Sequence, residues 1–152
     1  YTLIRTGLDD IPAGIQTEMF VCGEDPGRSS LYVPNTFSPI RKDISFMLPF
    51  RLFLEKLPWK RFDFIEHLKT DTQGNDLRIL QNAGDYLKKV VYLEVEATCY
   101  DNEYSFYPKK EETQEFLESM GFELIKEKKI DQTYLNKRFK SIANSLDCSR
   151  VP

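Results

Sequence analysis

The sequence predicts an α/β fold, with a mostly parallel sheet finished by an antiparallel hairpin at the C-terminal end. Three stretches carry that expectation. Residues 62–70 (FDFIEHLKT) read as a strand, and Asn75 to Leu87 as a helix with Leu77, Leu80, Gly84 and Leu87 on one stripe. Val90 to Ala97 (VVYLEVEA) opens with the apolar run of a strand covered on both faces. Strand, helix and strand with short links make a βαβ unit, whose crossover should be right-handed. Near the C-terminus, Phe122 to Glu127 and Thr133 to Phe139, joined around Asp131, are close enough to form the hairpin.

The remaining elements follow in chain order. Tyr1 to Leu8 is β-favouring, and Asp9, Asp10, Pro12 and Gly14 supply a turn after it. Thr17 to Cys22 reads as a second short strand closed by the loop Gly23 to Arg28, and the Ser-, Pro- and Asn-rich segment from Ser29 to Ile40 as irregular. Pro49 suits the first turn of a helix, where Phe50, Phe53, Leu54 and Leu57 form one apolar face until Pro58 ends it. Asn75 is placed as the N-cap of the central helix, with Asp76 complementing the positive end of its dipole. A further helix runs from about Lys109 to Met120 and stops at Gly121 in the C′ position. Residues 1–140 form one domain, and 141–152 a polar tail that frays.

Composition narrows the function classes. The chain has 152 residues, enough to bury roughly 68–70% of its unfolded surface without a metal or disulfide staple. With 21 Lys and Arg against 24 Asp and Glu it carries a formal charge of −3, which argues against a broad nucleic-acid footprint. No stretch approaches the roughly 18 apolar residues of a membrane span. Cys22, Cys99 and Cys148 are odd in number and widely spaced, and His67 is the one histidine, so neither a disulfide framework nor a zinc site is suggested. A reducing, cytoplasmic setting is expected.

Chemistry is expected where strands end, because ligands of open α/β sheets bind outside the carboxyl ends of the strands. One strand there presents Lys69, Asp71 and Gln73 before Gly74, and the next presents Glu94 and Glu96. A glycine directly before a helix lets the backbone approach a ligand closely. His67 and Lys69 fall on one side of their strand with Asp71 by period-two alternation, and a lysine inside a strand calls for a carboxylate, either Asp71 or Glu94. The bland reading of His67 is a hydrogen-bonded histidine. That of Glu94 and Glu96 is one residue pairing with Lys69 and the other pointing to solvent. The aromatics Tyr100, Tyr104, Phe106 and Tyr107 read as cover for the end of the core, or else as a stacking lid over a substrate. Lys126, Lys128, Lys129, Lys137, Arg138 and Lys140 read as a solvated hairpin face.

The stretch Leu68-Lys69-Thr70-Asp71-Thr72-Gln73-Gly74, followed by Leu77, Leu80 and Ala83, resembles the L-K-x-D-x-[EQ]-G signature of the FkbM-type methyltransferase family. Gly7-Leu8-Asp9-Asp10 is similar to the turn after that family's third strand. Gly27 to Leu31 is similar to its G-x-S-S-L segment, and Leu52 to Leu57 to the helix before its signature strand. Leu93-Glu94-Val95-Glu96 is similar to its L-E-V strand, and Met120-Gly121-Phe122 to the G-[FY] before its final hairpin. The resemblance covers roughly residues 3–140, and the Lys69 to Gly74 motif is its specific part.

This resemblance implies a Rossmann-like sheet and methyl transfer from S-adenosylmethionine to a hydroxyl on a sugar or other small molecule. It implies Asp71 as the catalytic base or acceptor-orienting group, with Lys69 as its cation and Gln73 as a further catalytic group. Leu8, Asp9 and Asp71 would contact the cofactor, and Glu94, Glu96 and Tyr100 the acceptor. No metal is implied, and Asp71 with Glu94 is the one pair that would hold a magnesium ion. The family's glycine-rich turn under the methionine moiety and its ribose-binding acid have no counterpart, and no G-x-G occurs in the chain. The chain is therefore expected to be the C-terminal two-thirds of a methyltransferase domain, binding S-adenosylmethionine weakly by itself and associating with a missing N-terminal portion. The alternative is a non-catalytic scaffold that pairs with another chain through its unpaired sheet edge. A metal nuclease built on Asp71 and Glu94-x-Glu96 is weaker, since it would want a lysine where Glu96 stands and a basic groove.

Overall fold

The computed structural model describes residues 7–9, 16–23, 25–97 and 103–143. Strands β1 (Gly7–Asp9), β2 (Gln16–Val21) and β3 (Arg41–Pro49) come first, followed by helix α1 (Phe50–Glu55). Then come β4 (Ile65–Thr70), α2 (Asp76–Ala83), β5 (Val90–Glu96), α3 (Lys110–Ser119), β6 (Phe122–Lys128), β7 (Asp131–Asn136) and α4 (Lys140–Ala143). Short 3₁₀ turns cover Pro26–Arg28, Gly84–Lys89 and Lys137–Phe139.

The fold is α/β, and its centre is the unit read from the sequence. β4 and β5 pair in parallel, with Lys69 opposite Glu94 and Thr70 opposite Val95, and α2 lies between them in the chain. β5 then pairs antiparallel with β7, and β7 with β6, giving a mixed sheet in the order β4-β5-β7-β6. On one face of this sheet, Leu93, Val95, Tyr134 and Phe122 pack with Phe50 and Leu54 of α1, Ile79 and Leu80 of α2, and Leu117 of α3. On the other face, Tyr92 and Leu135 pack with Phe64, Phe139 and Ala143. All seven residues of β5 are buried, as its apolar opening requires. Each of its large apolar side chains contributes about 1.5–3 kcal/mol on burial.

The expectation of one mostly parallel sheet is corrected. β1, β3 and β2 form a separate three-stranded sheet, so two strand pairings are parallel and three antiparallel. The cause is β3, which the sequence reading passed over. It takes β1 as its parallel neighbour and β2 as its antiparallel one. Its apolar residues Ile44 and Phe46 point to solvent while Ser45 and Met47 point inward, the reverse of the usual cue.

Local boundaries moved for identifiable reasons. Gly84, placed on the buried helix stripe, adopts φ +56 and ends α2, and the chain continues as the 3₁₀ turn to Lys89. Asn75 occupies the N-cap position without capping, because its Oδ1 accepts from the Tyr32 hydroxyl at 3.3 Å while its Nδ2 donates to the Leu8 carbonyl at 3.2 Å. Residues 141–143, assigned to the tail, belong to α4, and Ala143 is buried. The turn expected at Asp10, Pro12 and Gly14 lies outside the described residues, as do Cys99, Tyr100 and Cys148. Among the described residues no helix is long and apolar enough to cross a membrane.

Candidate functional site at the ends of the parallel strands

The parallel register brings the charged residues of two distant segments together. Lys69 Nζ lies 3.0 Å from Glu94 Oε1 and 3.6 Å from Asp71 Oδ2, and His67 Nε2 lies 3.9 Å from Glu94 Oε2. His67, Lys69 and Asp71 thus share one side of the β4 line, as alternation predicts. The hydrogen bond to Glu94 is the main influence raising the Lys69 pKa. Partial burial opposes it, and the Glu94, Asp71 and Asp131 charges add to it. Glu94 is therefore the principal partner of this lysine and Asp71 the secondary one.

Beyond β4 the chain turns sharply through two residues with positive φ, Gln73 at +54 and Gly74 at +113. The turn aims the Gln73 amide at two carboxylates. Its Nε2 donates to Glu96 Oε2 at 2.7 Å and to Asp71 Oδ1 at 3.2 Å, while its Oε1 accepts from the Tyr104 hydroxyl at 3.0 Å. Tyr107 Oη donates to Glu96 Oε2 at 3.3 Å. Burial, reinforced by the charges of Asp71 and Asp76, pushes Glu96 up to about 7, against the lowering effect of the Gln73 and Tyr107 hydrogen bonds. An exposed carboxylate, Asp71, therefore stands beside a buried one that holds a proton near neutral pH.

A third acid closes the turn from beneath. Asp76, in the first turn of α2 and buried, accepts from Thr72 N at 3.3 Å and from Thr72 Oγ1 at 2.8 Å. Burial raises its pKa, and hydrogen bonds from Thr72 and Thr70 offset part of that. A carboxylate at a helix N-terminus also meets the positive end of the dipole, as expected for Asp76.

Two outer segments hold the turn in place. Ser30 Oγ donates to the Gln73 carbonyl at 2.7 Å and accepts from Tyr32 N at 3.0 Å. Residues 33–35 bond through their backbones to 103–105, by Asn35 N to the Glu103 carbonyl and Ser105 N to the Val33 carbonyl, each 2.8 Å. Arg28 forms an ion pair with Glu103, and Tyr104 Oη, also 2.8 Å from the Arg28 carbonyl, shares its single proton between that oxygen and Gln73 Oε1. Tyr104 and Tyr107 thus support the site's own side chains, a role beyond the core cover the sequence suggested. The space beside Gly74 is also filled by protein. A Cβ there would meet Tyr32 Cδ2 at 3.0 Å and Tyr107 Cδ2 at 3.2 Å, so two rings, and no ligand, make the close approach.

Two cavities flank the segment 69–75. The first, about 200 Å³, is lined by Leu8, Met19, Leu31 and Met47 with hydroxyls of Ser30 and Thr72 among the polar groups. The second, about 240 Å³, lies on the Lys69 and Glu94 side. Among the described residues no three His, Cys, Asp or Glu side chains are placed to share a metal ion.

The structure brings five of the expected site residues, Lys69, Asp71, Gln73, Glu94 and Glu96, into one connected network. Leu8 lines the first cavity, and Asp9 ends β1, its side chain outside what is described. Tyr100 lies outside the described residues. Two expectations need correction. Glu96 does not point to solvent but is buried, and the polar atoms of the Gln73 side chain are engaged by Asp71, Glu96 and Tyr104. The sequence reading missed Asp76 as a buried acid and Ser30 as the anchor of the turn. The Ser-Ser pair in the G-x-S-S-L-like segment was the available signal for the latter.

Searches against protein-family models, curated proteins and solved structures return no match for this chain.

Proposed function

We propose that this chain carries the acceptor side of an S-adenosylmethionine-dependent methyltransferase that acts on a hydroxyl of a sugar or other small molecule. One observation supports the reading above the rest. The segments that resemble the FkbM-type family are far apart in sequence and meet at one point. Asn75 donates to the Leu8 carbonyl, Ser30 to the Gln73 carbonyl and Gln73 to Glu96, while Lys69 pairs with Glu94. The convergence of four of the resembling segments at one turn supports the reading.

The residues present suit one end of the cofactor. The first cavity, walled by Leu8, Met19, Leu31 and Met47 with the hydroxyls of Ser30 and Thr72, offers apolar contact to a methylated sulfur, and at about 200 Å³ it is below the roughly 300–1,000 Å³ of a complete small-molecule site. Leu8, Asp9 and Asp71 would contact that end. When bound, S-adenosylmethionine supplies a methyl group on a positively charged sulfur, activated toward an oxygen nucleophile.

The protein's task is then to align the acceptor and take its proton. Asp71, exposed at the end of β4, is the base. Lys69 at 3.6 Å and the Gln73 amide at 3.2 Å fix its carboxylate, one at each oxygen. Glu94, held by Lys69, orients the acceptor's hydroxyls. Glu96 in its neutral form spares the site a further negative charge beside Asp71.

A second reading, a scaffold that binds another chain, draws support from Ile44 and Phe46, which are 67% and 60% exposed on β3. Assaying the native protein for transfer of labelled methyl from S-adenosylmethionine to a panel of sugars and hydroxylated small molecules separates the two. Cofactor-dependent labelling of an acceptor is the expected result. Its absence across the panel, with a co-purifying partner chain, favours the scaffold.

A further inference from the structure

The four-stranded sheet has a second polar surface, of which the reading above uses only Lys69 and Glu94. Its lower half is covered by Phe139 and Ala143, while the upper half carries a cavity of about 240 Å³. Cross-strand register lays the side chains out in two rows. The first runs Lys69, Glu94, Thr133, Lys126 across β4, β5, β7 and β6. The second places Glu96 opposite Asp131 and Asp131 opposite Lys128. The floor is thus acidic and hydroxylic, with one lysine on the β4 wall and two on the β6 wall.

The two β6 lysines face this cavity because of a β-bulge. Leu124 pairs with Tyr134 and Lys126 with Thr133, so Ile125 is an extra residue in the ladder. Leu124 packs on the helix-covered face. Strict alternation would keep Lys126 and Lys128 on that face with it. The bulge moves both to the opposite face and leaves Glu127 to pair with Lys110 of α3 at 2.6 Å. Bulges that re-aim side chains are concentrated beside active sites. β6 is the edge strand of the sheet, where bulges also serve to twist an edge away from pairing, so the bulge supplies the placement of the two lysines and the lining itself defines the ligand.

We infer that this groove binds a small polyhydroxylated ligand bearing one anionic group, a sugar phosphate being the simplest case. Lys126 and Lys128 meet the anion, while Glu94 and Thr133 take its hydroxyls. The lining charges, three lysines against Glu94 and Asp131, sum to +1, which favours an anion that also offers hydroxyls to the acidic floor over an anion alone. At about 240 Å³ the groove, too, is smaller than a complete small-molecule site, and being open it takes about one sugar unit with the rest of the ligand in solvent. Lys69 lines the groove and lies 3.6 Å from Asp71, so one side chain separates the groove from the proposed base. In naming the acceptor class, the inference rests on the methyltransferase reading; as a binding site it stands without it.

Calorimetric titration of the protein with glucose 6-phosphate, glucose and inorganic phosphate, without S-adenosylmethionine, tests it. Glucose 6-phosphate should bind more tightly than either of the others. Lys126→Gln/Lys128→Gln should weaken it by about 10- to 100-fold, the range for losing charge-assisted hydrogen bonds. Both lysines are exposed, so the melting temperature should stay unchanged and report an intact fold. Equal binding of glucose, equal binding of inorganic phosphate, undiminished binding by the double variant, or no binding at all would each overturn the inference. Sugar phosphate binding without methyl transfer would remove the proposed function and leave the groove. Methyl transfer to neutral acceptors alone would do the reverse.

Discussion

β5 and β3 are both apolar-rich strands at the middle of their sheets, and they use those residues in opposite ways. Every residue of β5 is buried, whereas in β3 Met47 is buried and Ile44 and Phe46 stand in solvent. β5 carries the core, and the polar ends of β5 and its neighbour β4 carry the site. β3 instead offers Ser45 and Met47 to a cavity against the turn before α2. The difference teaches that the larger sheet carries both the core on one face and a polar groove on the other, so substitutions in β5 should cost far more stability than substitutions on the exposed face of β3.

The comparison breaks most clearly in the larger sheet. Leu93→Ala, at a side chain with no exposure, should cost about 2–5 kcal/mol in urea denaturation. Gly74→Ala joins the two sheets' fates, since φ +113 and the Tyr32 and Tyr107 rings both resist a Cβ, and about 1–3 kcal/mol should be lost. Wild-type stability for Gly74→Ala would mean that the turn is not held as described.

Glu96 sharpens the comparison through pH. Its folded pKa of about 7 lies above the ordinary 4.5, so between those values the folded state holds more protons than the unfolded. Stability therefore falls as pH rises through that window, and the penalty is complete above pH 7. The full shift corresponds to about 3 kcal/mol, which solvent at the rim of the site reduces to roughly 1–2 kcal/mol. Glu96→Gln should remove this slope, leaving stability near wild type at pH 5 and higher than wild type at pH 8 by that amount. The smallest effect belongs to β3, where Ile44→Ser should change stability by no more than about 0.5 kcal/mol.

Much of the larger sheet was legible because its signals are local. A continuous apolar run marks β5, and Gly121 at the end of a periodic stretch stops α3. The pairing of Lys69 with Glu94 was legible too, since a lysine within a strand requires a carboxylate. What sequence could not supply was partnership at a distance. Asn75 looks like a cap until the Tyr32 hydroxyl takes its oxygen and Leu8, 67 residues away, takes its amide nitrogen. Gln73 looks like a ligand contact until Glu96 and Tyr104 take its amide. β3 stayed hidden because its alternation is inverted, and the bulge at Ile125 because only the partner strand reveals the extra residue.

The most direct test of the account is Asp71→Asn, assayed for methyl transfer in the native protein and for melting temperature side by side. Asn keeps the shape of the exposed carboxylate while removing its basicity, so the account predicts a fall in turnover of about 10²- to 10⁴-fold with the melting temperature essentially unchanged. Turnover that survives the substitution while the melting temperature collapses would contradict it, and would make Asp71 a structural support of the Gln73 turn.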